Sequence, residues 1–270
     1  HRSASFGGQQ NQFGDAGTPV DKGAEGTFTT QIFPLGPAYG YWGTGNPGNG
    51  PGPTTLSLIQ RLDYSNDSAN ALVRSTLASP EGNRRSTAAV ASKTHAYWTG
   101  GTPGPFSYVD RLDFSNDTAT AVRKGPLTAA NYLAAGTGNE FYGYLMGGRP
   151  NYQRSSRLDR IDYANDGVAA VSKGPLSATF AYGAATGNAN YGYAGGGYVY
   201  PAPNPASSSL DRVDYANDTT AATPKGNLSE GRYNFSATGN ADYGWFAGGN
   251  LPSPVGKTSI IDRVDYANDT

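Results

Sequence analysis

The chain has 270 residues and a formal net charge of −1, with 38 glycines, 18 prolines and 19 tyrosines, 37% hydrophobic and 15% charged residues. That length holds one large all-β domain or two smaller ones, and the balanced charge excludes a basic surface built for nucleic acid. Cysteine is absent, which excludes disulfides, thiolate metal sites and a cysteine nucleophile, and no apolar run is long enough to span a membrane as a helix.

Residues 1–26 are rich in Gly, Gln, Ser and Asn, with Phe6 and Phe13 as apolar anchors. They read as an arm, either solvated or docked as a strand. From Thr27 the chain repeats itself. The segment Arg-hydrophobic-Asp-aromatic-Ser/Ala-Asn-Asp begins at Arg61, Arg111, Arg160, Arg212 and Arg263, at spacings of 50, 49, 52 and 51 residues. A fixed period of this length marks a repeat architecture. The units run 27–77, 78–127, 128–176, 177–228 and 229–270.

Each unit has four parts. The first is a run of small residues, 86–91, 133–136, 181–185 and 235–237, with a bulkier version at 28–35. It leads to a Thr-Gly-Asn turn signal in most units. The second is aromatic and closes on two glycines, as in Tyr142-Gly143-Tyr144-Leu145-Met146-Gly147-Gly148. The third is the Arg-x-Asp segment, whose alternation has the period of a strand. Leu62, Leu112, Ile161, Val213 and Val264 fall on one face of it and are expected between neighbouring sheets. Arg61 and Asp63, Arg111 and Asp113, Arg160 and Asp162, Arg212 and Asp214, and Arg263 and Asp265 share the other face, free to pair along the strand or with the next unit. The fourth is an Ala/Thr/Val strand such as 118–123, leaving through Lys124-Gly125-Pro126-Leu127.

Four short strands per unit and no helical periodicity predict an all-β fold, a five-bladed β-propeller of four-stranded antiparallel blades. The fifth unit stops after its Asn-Asp turn, so its fourth strand is expected from residues 1–26 or from chain past Thr270. The recurrent Asn-Asp pair offers oxygen ligands of the kind calcium takes. It carries fewer carboxylates than a calcium loop, and a tight turn capped by its own side chains is the preferred reading. Asn66, Asn116, Asn217, Asn227, Asn234 and Asn268 open Asn-x-Ser/Thr acceptor patterns. Gly167 breaks the series in the third unit, which points to a backbone requirement.

The double-glycine strand, the variable loop, the Asp-Tyr strand and the final Lys-Gly-Pro-Leu resemble a Kelch-type repeat over residues 27–270. The order Asp-Tyr, where Kelch repeats have Tyr-Asp, and Val122 and Val171, where they place Trp, are departures. The wording Asp-Arg-Ile/Val-Asp-Tyr-Ala-Asn-Asp with Tyr-Gly-Tyr-x-x-Gly-Gly is similar to repeats in structural proteins of marine tailed phages, notably cyanophages. That resemblance implies a virion structural or interaction protein at the tail, neck or capsid surface. Its implied partners are other virion or assembly proteins or a cell-surface glycan. A multivalent carbohydrate-binding propeller or extracellular adhesin is the alternative.

Catalytic residue types are scarce. The only histidines are His1 and His95, and the only glutamates are Glu25, Glu81, Glu140 and Glu230, none at equivalent places in the units. A hydrolytic triad and a glycosidase carboxylate pair are both disfavoured, and the expectation is a non-enzymatic chain without cofactor or metal. The units differ most in the loops after the glycines, 46–53, 102–107, 149–156, 198–208 and 250–257. These loops belong on one face, and the aromatic residues in and beside them, Phe106, Tyr108, Tyr152, Tyr198 and Tyr200, are the candidate binding residues.

Overall fold

The computed structural model describes residues 6–8, 29–30, 39–45, 56–66, 68–78, 83–198, 206–252, 254 and 256–269. The arm contributes β1 (Phe6–Gly8), and β2 (Thr29–Thr30) follows. Blade one holds β3 (Tyr39–Gly45), β4 (Leu56–Asp63) and β5 (Leu72–Thr76). Blade two holds β6 (Ala88–Ala91), β7 (His95–Thr99), β8 (Val109–Asp113) and β9 (Val122–Arg123). Blade three holds β10 (Ala135–Gly138), β11 (Tyr142–Met146), β12 (Leu158–Asp162) and β13 (Val171–Ser172). Blade four holds β14 (Ala184–Gly187), β15 (Tyr191–Gly195), β16 (Ser209–Asp214) and β17 (Thr223–Asn227). Blade five holds β18 (Ser236–Gly239), β19 (Tyr243–Ala247) and β20 (Ile261–Asp265). Within the blades strands pair with their sequence neighbours, antiparallel throughout, and β1 alone crosses to β18. The fold is all-β, with five antiparallel sheets arranged as propeller blades.

The innermost strands carry small residues because they crowd one another. A Cβ added at Gly136 would come within 2.3 Å of the Ala89 carbonyl oxygen in the preceding blade. The hydrophobic core lies between blades. Four clusters fill four seams, and each mixes residues of two consecutive blades. Tyr41, Ile59 and Leu77 of blade one, for example, pack with Ala89, Trp98 and Leu112 of blade two. Leu112, Ile161, Val213 and Val264 are buried in these seams as expected, while Leu62 is half-buried.

Three boundaries differ from the sequence expectation. The fourth strand of blade two is only Val122–Arg123, because the residues before it cross to the preceding blade: the Ala121 N–H donates to the Thr76 carbonyl at 2.9 Å. Ala170 and Ala222 do the same to Pro126 and Pro175, each at 2.8 Å. The innermost strands also start later than expected. Ser86, Leu133, Tyr182 and Asn234 have φ of 57°, 61°, 63° and 54°, a left-handed backbone outside the β region. The N–H groups of the last three donate to the carbonyls of Ser86, Leu133 and Tyr182 in turn, linking the blades side by side near the axis. Finally, β1 pairs with β18 and β2 on the axial edge of blade five and does not flank β20. Among the described residues no strand covers the outer edge of β20. The other residues of the arm, and the 28–35 run apart from β2, lie outside the described residues.

Candidate binding face

With the aspartate that precedes the arginine in units two to five (Gln60 stands there in unit one), the repeated segment carries three aspartates with three separate tasks. The middle one caps a single 3-10 turn: Asp113, Asp162, Asp214 and Asp265 accept from the N–H two residues ahead at 2.8, 3.0, 3.0 and 2.9 Å, and Asp63 does so at 2.8 Å. This is the expected Asx-type turn. The first holds the segment that enters its own blade from the preceding one. Asp211 accepts from the Ser177 N–H at 2.8 Å and Asp262 from that of Ser229 at 3.1 Å, while Asp110 is paired to the fully buried Arg84.

The last aspartate does not stay within its turn. It reaches the preceding blade and is held there by three donors. Asp218 accepts from the Tyr144 hydroxyl at 2.8 Å and Arg160 at 2.8 Å, and pairs with Lys173 at 3.1 Å. Asp166 takes Tyr97 at 3.0 Å, Arg111 at 2.8 Å and Lys124 at 3.0 Å. Asp117 takes Tyr41, Arg61 and Arg74, and Asp269 takes Tyr193, Arg212 and Lys225. Burial raises the Asp218 carboxyl, and the Tyr144, Lys173 and Arg160 donors outweigh it, so the group titrates below its ordinary value. The same balance holds at Asp117, Asp166 and Asp269. The carboxylates that sequence offered as calcium ligands are thus consumed by cations of their own chain. No group of three metal-ligating residues is present among the described residues.

The aromatic residue of the segment also crosses the seam. Phe114, Tyr163, Tyr215 and Tyr266 stack on Tyr41, Tyr97, Tyr144 and Tyr193 of the preceding blade, with ring centroids 5.0, 4.9, 4.6 and 5.0 Å apart. Within its own blade each tyrosine hydroxyl lies over the glycine of Tyr-Gly-Tyr/Trp. A Cβ at Gly40, Gly143, Gly192 or Gly244 would come within 2.6–2.7 Å of that oxygen. Blade two has Phe114, which lacks the hydroxyl, and there the glycine is replaced by Ala96.

In blades two to four the described parts of the loops after the double glycines are pinned to the residues that lead into the next blade. Phe106 bridges to Asn131 and Ser155 to Phe180. Tyr152 meets Tyr132 edge-on at 6.0 Å. Tyr198 meets Tyr182 at 6.4 Å and Tyr233 at 5.4 Å, both edge-on. Burial raises the Tyr132 hydroxyl, opposed by Arg149. The Tyr182 N–H donates to the carbonyl of Leu133, next to Tyr132, at 3.2 Å, and this backbone link sets the two groups beside each other as one arc over blades three, four and five. Arg149 lies 5.7 Å from the Tyr132 ring and Arg154 5.8 Å from that of Tyr198. Tyr152 is 56% exposed, and the other four rings are half-buried.

Of the sequence candidates, Tyr152 and Tyr198 belong to this arc. Phe106 and Tyr108 stack on each other at 5.0 Å, with Arg123 3.8 Å over Tyr108; among the described residues no ring contact joins them to the arc. Tyr200 lies outside the described residues. Sequence reasoning missed Tyr132, Tyr182 and Tyr233, which precede the innermost strands. The available signal was an aromatic residue just before a run of small residues in three units.

No family model matches the chain, and no curated protein matches it. A solved structure does, described as "Structure of YjhT". It is 14% identical, with a TM-score of 0.67 over 83% of this chain and 77% of that one. At that identity the likeness shows the fold alone.

His95 and Glu140, of the residue types weighed for catalysis, hold only local partners. His95 receives or donates at Thr94 Oγ1, 2.7 Å away, and lies 3.9 Å from Asp113; burial lowers its pKa, helped by Arg111. Glu140 is paired to Lys93. The face itself offers hydroxyls, flat rings and guanidinium groups, which suit hydrogen bonding and stacking.

Proposed function

We propose that this chain is a binding propeller whose partner lies across the tyrosine arc, and that it serves as a non-enzymatic structural or interaction protein of a virion, contacting neighbouring virion proteins or a host-surface glycan. The arc carries the binding part of this reading. Tyr132, Tyr152, Tyr182, Tyr198 and Tyr233 present aromatic area with hydroxyl rims, flanked by Arg149 and Arg154. Tyrosine and arginine are the residues in which binding energy concentrates, and rings held by their neighbours lose little freedom when a partner arrives. The virion part rests on the resemblance of the repeated segments to those of marine phage structural proteins.

Cross-linking of intact virions followed by mass spectrometry tests the reading. Cross-links from the loops of blades three to five to a second virion protein are expected. Consistent failure to find the chain in purified virions overturns the virion reading. A glycan array tests the lectin-like alternative, for which binding by the native chain and its loss in a Tyr152→Ala/Tyr198→Ala variant are required.

A further inference from the structure

The two ends of the blades carry opposite charge. Each second strand opens opposite the middle aspartate of its blade and closes on the glycines: Tyr142 stands across from Asp162, Tyr191 from Asp214 and Tyr243 from Asp265. At about 3.3 Å per residue, the aspartate end and the loop end of such a strand lie roughly 13 Å apart.

At the aspartate end the acids are open. Asp63, Asp113, Asp162, Asp214 and Asp265 cap their turns, and none has an ion pair with lysine or arginine among the described residues. The arginines two positions before them are already spent, for Arg61, Arg111, Arg160 and Arg212 pair with the seam aspartates. The Asn139 side chain donates to the Ala189 carbonyl at 3.3 Å and that of Asn188 to Ala241 at 3.4 Å, so the turns of blades three, four and five form one ledge. The ledge adds exposed Asp242, Glu140 beside Lys93, and Phe141, which is 61% exposed.

The loop end is the reverse. Asp110, Asp159 and Asp211 are buried, and Asp262 is held by Ser229 and Arg232. Among the described residues Glu230 is the one exposed carboxylate at this end. Arg149 and Arg154 stand in the tyrosine arc. Arg149 donates to the Tyr152 carbonyl at 3.2 and 2.7 Å and meets no carboxylate among the described residues. Arg85 takes in blade two the place that Tyr233 holds in blade five. The net charge of −1 is thus the sum of an acidic end and a basic end.

We infer that the partner seated on the arc is a second copy of this chain, presenting its aspartate end, so that propellers stack head to tail. This rests on the arc as the binding face and names its occupant. Charge complementarity between the two ends carries it. Ledge and arc both cover blades three to five, so a copy shifted along the propeller axis sets Glu140, Asp242 and Phe141 over the arginines and rings of its neighbour. The two patches differ, so the contact is heterologous and does not close at two chains.

Sedimentation velocity of the full chain tests the stack. At low salt the mass should grow with concentration, through dimers to longer assemblies, and high salt should return it to monomer, because exposed charges are screened. Arg149→Gln/Arg154→Gln disables one end and Glu140→Gln/Asp242→Asn the other. All four side chains reach solvent, so both variants should fold. Each alone should be monomeric where the native chain associates. Their equimolar mixture should form a dimer that grows no further, since each variant keeps one working end. A native chain that stays monomeric at low salt, or a mixture that does not restore association, overturns the second copy as occupant. The arc's own role is read separately on immobilised alginate. A monomeric native chain retained there, and released by Arg149→Gln/Arg154→Gln, keeps the arc as a binding face and replaces the second copy with an acidic glycan.

Discussion

Asp218 and Asp214 lie four residues apart in one segment, and the same substitution should affect them very differently. Asp218 is 5% exposed and its partners Arg160 and Lys173 are 22% and 12% exposed. Asp218→Asn would leave two cations and the Tyr144 hydroxyl across the seam without a counter-charge. Removing one partner of a buried pair costs about 3–5 kcal/mol, and partial exposure of the cations brings the expectation here to about 2–3 kcal/mol. Asp214 only caps the turn through the Ala216 N–H at 3.0 Å, and asparagine caps as well as aspartate, so Asp214→Asn should cost under about 0.5 kcal/mol. Denaturant unfolding followed by far-UV circular dichroism measures both. A loss at Asp214→Asn equal to or above that at Asp218→Asn would refute the division of tasks among the three aspartates.

Three further outcomes follow from the same seams. The titration of Asp117, Asp166, Asp218 and Asp269 is held below the ordinary carboxylate range, so the stability they give is present above the unfolded value of about 3.9 and is lost as pH falls through the folded values; urea midpoints measured between pH 6 and pH 2.5 should fall more steeply for the native chain than for Asp218→Asn. Among the described residues the buried Tyr163 hydroxyl has no hydrogen-bond partner, whereas Tyr215 and Tyr266 meet Thr137 and Thr186 at 3.3 and 3.0 Å. Val90 occupies the corresponding place beside Tyr163, so Val90→Thr should stabilise by about 1 kcal/mol in the native chain and destabilise in a Tyr163→Phe background, read by thermal unfolding. Gly40→Ala should cost about 1–3 kcal/mol through overpacking against the Tyr64 hydroxyl, and most of that should return when Tyr64 is also changed to Phe, reproducing the Ala96 and Phe114 pair of blade two. Equal costs of Gly40→Ala in both backgrounds would sink that account.

The period of the Arg-x-Asp segment was enough to read the all-β repeat fold, the blade number and the seam positions of Leu112, Ile161, Val213 and Val264. Spacing reports which face of a strand a residue takes, and those faces were correct. What it could not report is how far a turn travels. Asn116-Asp117 reads as a local cap, yet the chain after it runs back to the preceding blade and carries the carboxylate with it. The short outer strands were missed for the same reason, since hydrogen bonds from Ala121, Ala170 and Ala222 to another blade leave no mark in alternation. At the candidate face, Tyr152 and Tyr198 were visible because proline-rich loops advertise exposure. Tyr132, Tyr182 and Tyr233 were hidden beside strands that look purely structural.

Among the described residues, the stacked rings and charged contacts that join two blades lie between one unit and its immediate successor. The donors on blade two, Tyr97, Arg111 and Lys124, are chemically the same set as those on blade three, Tyr144, Arg160 and Lys173. Each carboxylate would accept any of these sets. The units are therefore interchangeable parts, and gain or loss of a whole unit of about 50 residues leaves no mismatched seam behind. A chain excised between 128 and 176 would still bring Lys124-Gly125 to Asp218. Such a molecule can change its diameter by recombination long before it changes its chemistry.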